Sequence, residues 1–266
     1  MTPEFAAAPV SGGLVGFSLG LVGGGGSMLA TPLLLYLVGL EPHIAIGTSA
    51  LAVSTNAFAN LLGHAHSGNV RWRCAGIFAV IGALGAFAGS TLGKMTDGEH
   101  LIFLFGLLML VVGATMLRPR RPTASIERPA DVATCTVTGA VAFAAGLASG
   151  FFGIGGGFLI VPGLIFATGM PIINAIGSSL LSVGSFGLAT AINYAFSGMV
   201  DWAIAGEFIA GGIIGGLLGM LLANRLATKE NVLNRIFAGL IFAVAGYVLY
   251  RSGQALGPLP ARLAQS

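Results

Sequence analysis

Apolar stretches separated by short polar ones make up most of the chain. They run approximately over 7–38, 43–63, 74–93 and 101–117, and again over 135–170, 174–196, 203–223 and 232–250. A helix crosses a hydrocarbon core with about 20 residues. The last three stretches of each group have that length and predict spanning helices. The first of each group does not, because about 32 residues of helix would stretch near 48 Å against a core of about 30 Å. Both long stretches carry a glycine run at their middle: Gly23-Gly24-Gly25-Gly26-Ser27 and Gly153-Ile154-Gly155-Gly156-Gly157. Glycine favours a break there, and Pro32 and Pro162 lack the N–H that a continuous helix would use. Each long stretch is therefore expected to be two half-helices, which either cross once together or return as a re-entrant hairpin.

The two groups are copies. Gly16 to Pro32 reads GFSLGLVGGGGSMLATP, and Gly146 to Pro162 reads GLASGFFGIGGGFLIVP. The offset between them stays constant well beyond this motif. Gly47-Thr48-Ser49 answers Gly177-Ser178-Ser179, and Ser67-Gly68-Asn69-Val70-Arg71-Trp72 answers Ser197-Gly198-Met199-Val200-Asp201-Trp202. Gly82, Gly85 and Gly89 answer Gly212, Gly215 and Gly219. More than a third of the positions from Gly16 to Leu92 match their counterparts without a gap, which makes duplication the plain explanation. The expected architecture is an all-α polytopic membrane protein of about eight segments: a first repeat over 7–117, a cytoplasmic linker over 118–134, and a second repeat over 135–252.

Composition supports this. The 266 residues are 55% hydrophobic and only 8% charged, too few charges to cover a water-soluble surface. The net charge of +3 is modest, and arginines sit in short loops, which bears on membrane orientation rather than nucleic-acid binding. Cys74 and Cys135 support neither a metal site nor a disulfide framework. The opening MTPEFAAAPV lacks a basic stretch, so the first apolar segment is expected to be retained. Two symmetries remain open. If each long segment crosses once, the repeats are parallel and eight basic residues lie inside against four outside. If each returns to its own side, the repeats are inverted. Arg225, Lys229 and Arg235 then move inside and Arg251 and Arg262 move out, giving nine against three, with Lys94 outside in both cases. The charge count favours inverted repeats by one residue.

The candidate chemistry lies in the breaks. A helix that restarts after a glycine run exposes several N–H groups and a partial positive charge, and glycine lets a ligand approach them. Inside a bilayer this makes an anion site without an arginine. Gly24, Gly25, Gly26 and Ser27 in the first run, and Gly155, Gly156 and Gly157 in the second, are the candidates. The plainer role for such glycines is close helix packing, which accounts for Gly82, Gly85, Gly89 and their counterparts. Small polar residues follow each run. Thr48, Ser49, Ser178 and Ser179 recur in both halves, and Asn56 and Asn193 join them as neutral donors for an oxyanion that must leave again. Their plainer role is hydrogen bonding within or between helices. Ionisable groups in apolar segments are costly, so Glu207 and His64 are candidates for proton coupling. Trp72 and Trp202 read as interface anchors. No cofactor is expected.

Enzyme roles fit poorly. The glycine runs follow no strand, GSTLGK at Gly89–Lys94 is too short for a Walker loop, and Ser149 in GLASG lacks a supporting histidine signature. The chain instead resembles the sulfite exporter TauE/SafE family, also called the toluene-sulfonate uptake permease family, over about 10–252. The resemblance rests on Gly16, Gly20, Gly23, Gly25 and Gly26 closing on Pro32, on Gly146, Gly150, Gly153, Gly155 and Gly156 closing on Pro162, and on IGTSAL (46–51) with IGSSLL (176–181). It implies a plasma-membrane permease for sulfite, sulfonates or other organosulfur or organic anions. Direction and substrate differ among members, so the resemblance settles neither. A passive anion channel is the alternative. The expected partners are a small anion, the lipid bilayer and a proton or other coupling ion.

Overall fold

The computed structural model describes residues 4–117, 132–153, 157–170, 172–226, 239, 242 and 244–251, and every described element is helical. α1 spans Glu4–Val22, and a 3-10 segment, Gly23–Leu29, leads into α2, Ala30–Tyr36. α3 (Pro42–His66), α4 (Trp72–Met95) and α5 (Gly98–Leu117) complete the first half. α6 (Val132–Phe152), α7 (Gly157–Thr168), α8 (Ile172–Ala195) and α9 (Trp202–Leu226) form the second. A last helical stretch, 244–251, covers the end of the expected segment 232–250 and runs one residue past it. The expected linker 118–134 falls outside the described residues as far as 131, and α6 already begins inside its end.

Among the described residues, four helices are long and apolar enough to cross a bilayer: Pro42–His66, Trp72–Met95, Asn174–Ala195 and Trp202–Leu222. The outer faces of α4 and α9 expose Val80, Leu84, Phe87, Ile214, Leu217 and Leu221. A continuous apolar face of this kind suits lipid and not water.

Glycines set the packing of the outer helices. A Cβ on Gly12, Gly16 or Gly20 of α1 would collide with the backbone of Phe208, Gly212 or Gly216 of α9, so the two helices touch main chain to main chain. Gly146 and Gly150 of α6 meet Gly82 and Ala86 of α4 in the same way. Residue numbers rise together along both contacts, so α1 runs parallel to α9 and α6 parallel to α4. The first helix of each half thus packs on the fourth helix of the other. Small residues allow this close approach, which a membrane helix pair needs because lipid supplies no hydrophobic drive between helices.

The central pair behaves differently. Gly47 of α3 lies against Met199 and Tyr194, Ser54 Oγ donates to the Gly184 carbonyl at 2.7 Å, and Gly177 of α8 lies against Asn69. Numbers fall on α8 as they rise on α3, so the helices are antiparallel. Ser54 and Gly184 are counterparts in the duplicated sequence, so equivalent points of the two halves meet at this bond.

Both central helices end alike. The Asn69 N–H reaches the His64 carbonyl (3.1 Å) and the Gly68 N–H reaches Ala65 (3.1 Å), closed by Gly68 at φ +71°. Met199 and Gly198 repeat these bonds to Tyr194 and Ala195, with Gly198 at φ +70°. This is a Schellman closure, and only glycine adopts its left-handed residue without strain. The repeated Ser-Gly of the sequence is this turn.

Candidate functional site

The repeated hydroxyls divide into two kinds. Thr48 Oγ1 accepts a hydrogen bond from the Asp201 N–H (3.0 Å), and Ser178 Oγ accepts one from the Arg71 N–H (2.9 Å). Both acceptors are fully buried. Arg71 and Asp201 immediately precede α4 and α9, whose first N–H groups have no partner within the helix. Gly47 and Gly177 give the room for the incoming turn. The motif Ile-Gly-Thr/Ser of one half therefore clasps the Ser-Gly turn of the other, twice, at opposite ends of the α3–α8 pair.

Ser49 and Ser179 lie elsewhere. Ser49 Oγ is 2.9 Å from Thr31 Oγ1 of α2 and 3.5 Å from the Gly153 carbonyl, and it donates to Ile46 at 3.0 Å. One buried hydroxyl thus touches the returning arm of the first long segment and the break of the second. Ser179 donates to Ile176 at 2.7 Å, and its environment lacks the second hydroxyl because Val161 stands where Thr31 stands in the first half.

The glycine runs differ from expectation and from each other. The first run does not open a fresh helix start. Gly23, Gly24, Gly25, Gly26 and Ser27 wind as a 3-10 helix, whose i to i+3 bonds engage the N–H groups that a restart would free. Leu29 keeps helical angles (φ −81°, ψ −17°), so the chain passes into α2 without a break. Gly26 is buried, and a Cβ there would strike the backbone of Ser18 and Leu19, so the segment folds straight back on α1. Ser27 is buried and engaged. The second run is a true interruption: α6 ends at Phe152, Gly153 has φ +67°, and α7 starts at Gly157. Gly155 and Gly156 lie outside the described residues. α7 packs against the 3-10 segment, so the helix that follows the second run lies beside the first run. Gly16, Gly20, Gly146 and Gly150, at the head of each motif, are packing residues.

The remaining candidates do not converge. Asn56 is fully buried against Gly212, and neither atom of its amide head has a partner. Asn193 is fully engaged with α4: its Nδ2 donates to Ser90 Oγ (2.7 Å) and Thr91 Oγ1 (2.9 Å), and its Oδ1 accepts from Lys94 Nζ (2.8 Å). His64, near the end of α3, is buried with Nε2 unpartnered. Glu207 is partly exposed near the start of α9. Gly63, beside His64, lies against Met220, and Met220 is about 20 Å along α9 from Glu207 at 1.5 Å per residue. The two coupling candidates are therefore far apart.

Thr31 was not singled out in the sequence. Its signal was a hydroxyl directly before a proline in an apolar run. Lys94 was counted only for orientation, although it is the one basic residue outside in both topologies. Among the described residues no group of three or more His, Cys, Asp or Glu side chains is placed to hold a metal ion. The central chemistry is that of neutral hydroxyls and backbone.

The family model described as Sulfite exporter TauE/SafE matches residues 8–248. A "Probable membrane transporter protein" of Xylella fastidiosa (strain 9a5c) is 62% identical over 248 residues, covering 92% of this chain and 95% of that one. The "Probable membrane transporter protein YdhB" of Bacillus subtilis is 28% identical over 239 residues, covering 89% and 96%. One from Methanocaldococcus jannaschii is 27% identical over 177 residues, covering 63% and 65%. No solved structure matches. The chain belongs to the TauE/SafE sulfite exporter family and is a membrane transporter.

Proposed function

We propose that this TauE/SafE transporter carries a small anion, sulfite or a sulfonate, across the cell membrane by exposing a central site to each side in turn. The observation that carries the proposal is the Ser49 hydroxyl, which joins Thr31 of one long segment to Gly153 of the other. An anion held there would touch both halves, so relative movement of the halves would change its access. Ser49 and its counterpart Ser179 supply neutral donors, with Ser49 beside Thr31 and the Gly153 carbonyl. Thr48 and Ser178 serve the clasps between halves. Asn56, with both amide atoms free, is the remaining candidate contact.

The halves are two inverted repeats of four segments each, the first of each four re-entrant. The antiparallel course of α3 and α8 supports this, as does the meeting of the counterparts Ser54 and Gly184. The linker and the Arg71 turn then face the cytoplasm, and Lys94 faces outward. His64, with its buried free nitrogen, is the better placed proton acceptor, and Glu207 the second.

Purified protein in liposomes tests this. Sulfite, sulfoacetate, taurine and thiosulfate would be offered with and without a pH gradient, and with unlabelled anion preloaded. A carrier shows faster uptake into preloaded vesicles, and Ser49→Ala slows it. Flux without that acceleration means a passive channel. No flux of any of the four sinks the organosulfur reading.

A further inference from the structure

We propose a second anion site, formed by Lys94, Tyr194 and His43 at the outward end of the α3–α8 pair, that receives the anion before it reaches Ser49. The outward assignment rests on the topology proposed above; the site itself rests on three observations.

The first is a charge held in place but not neutralised. Lys94, in the last turn of α4, donates from Nζ to Asn193 Oδ1 (2.8 Å), the Asn193 carbonyl (3.1 Å) and Ser197 Oγ (2.9 Å). All three acceptors are neutral, and together they match the three protons of an ammonium group. They fix the cation and leave its charge.

The second is a pair of buried polar atoms with nothing to bind. Tyr194 is fully buried and its hydroxyl has no partner. Its ring centre is 6.0 Å from Lys94 Nζ. His43 lies against it, with centroids 6.4 Å apart, and its buried Nδ1 is also unpartnered. A buried polar atom without a bond costs about 1–3 kcal/mol, so two of them, on neighbouring rings of which one has the Lys94 cation 6.0 Å from its centre, favour a ligand at this end. A tyrosine hydroxyl donates to an oxyanion, and an imidazole nitrogen does so when it carries the proton.

The third is position. α3 starts at Pro42, so the positive end of a 25-residue helix points at the same place. His43 precedes Ser49 by six residues, about 9 Å along the helix. Ile46, between them, packs on Gly153.

The carboxylates at this end do not cancel the charge by contact. Asp97 caps α5 through the Glu99 N–H (2.9 Å), and Asp201 caps α9 through the Ile204 N–H (3.0 Å). Glu41 and Glu99 are exposed. No ion pair of Lys94 occurs among the described residues. A small oxyanion is the ligand class, because the donors are few and the one cation near them is paired with no carboxylate among the described residues.

Sulfite is the probe, in two arms on the full chain. In liposomes, Tyr194→Phe and Lys94→Gln are compared with wild type for external KM and maximal rate, with Lys94→Arg as rescue. In detergent, sulfite binding is measured by calorimetry on the same variants. Tyr194→Phe deletes only an oxygen that bonds nothing, so it folds and stays testable even if Lys94→Gln loosens α8. Loss of one donor to a charged ligand predicts an external KM raised about tenfold at near-normal maximal rate, weaker binding in calorimetry, and partial recovery in Lys94→Arg. If Tyr194→Phe binds sulfite like wild type and is merely more stable, the site is not there. If wild type binds sulfite through these residues but carries none, the transport proposal falls and this site stands. If wild type carries sulfite with KM unmoved by either substitution, transport stands and this site falls. If wild type neither binds nor carries sulfite, both fall.

Discussion

Replacing Thr48 by valine keeps the shape of the side chain and removes one oxygen. That oxygen is fully buried and accepts the Asp201 N–H at 3.0 Å. A hydrogen bond between membrane helices averages about 0.6 kcal/mol and reaches about 1.7 at most. Here the lost acceptor also strands a backbone N–H at the start of α9, which moves the expectation to the upper half of that range, about 1–1.7 kcal/mol. Ser178→Ala removes the equivalent bond to Arg71, 2.9 Å, at the other end of the pair. Roughly 20 residues of helix separate the two clasps, about 30 Å, so the losses should add. At about 2–4 °C per kcal/mol the double variant should unfold about 4–14 °C lower. The chain supplies its own reporters. Its two tryptophans, Trp72 and Trp202, follow Arg71 and Asp201 directly. In a Trp72→Phe background, fluorescence during heating reads the Thr48 clasp alone, and Trp202→Phe isolates the other. Thr48→Ser, which keeps the oxygen, should melt close to wild type. A direct contact with the anion would instead raise the KM for sulfite and leave melting unchanged. That result in both single variants would refute the clasp.

Three further predictions follow from the structure. Gly16→Val and Gly146→Val should lose several kcal/mol or fail to fold, because the added carbons meet backbone in α9 and α4, whereas Gly76→Ala and Gly206→Ala, with nothing near their side-chain positions, should stabilise by about 0.5–1 kcal/mol each in thermal melts. With Cys74 and Cys135 replaced by serine, an impermeant maleimide should label Ser197→Cys in intact cells and Ser67→Cys only after permeabilisation; labelling of both from one side would mean parallel repeats. The hydrogen bond from His100 holds the Asp97 carboxyl below its ordinary pKa. Its folded pKa is depressed, so its support for the start of α5 is present above the unfolded value and lost as pH falls through the folded one. Protection of the Glu99 and His100 N–H groups from hydrogen exchange, taken against the intrinsic rate at each pH, should be high at neutral pH and lower in acid, and His100→Ala should move the midpoint upward.

Several features were legible in the chain because they are local. The length of the apolar stretches, set against bilayer thickness, separates the long first segment of each half from the others. The duplication is visible without any contact, and Ser-Gly at 67–68 and 197–198 fixes its own Schellman turn through the left-handed glycine. The roles of adjacent hydroxyls were not legible. Thr48 and Ser49 are neighbours with the same chemistry, and both recur in the second half. Which one clasps a turn and which one faces a break depends on Asp201 before α9 and Gly153 after α6, both more than 100 residues away. Asn193 looked like a free donor and is bound on every side by α4. The first glycine run looked like an open helix start and is wound tight against α1.

The sequence alone therefore determined the class, the duplication and the approximate limits of the helices, since hydropathy, glycine and proline act within a few residues of themselves. The tertiary structure decided how the copies face each other and what each polar group binds. Hydropathy along the chain does not say how two helices of different halves run, and packing sets α3 and α8 antiparallel. A hydroxyl in a membrane helix must find a partner, and the partner is chosen by the helix that arrives beside it.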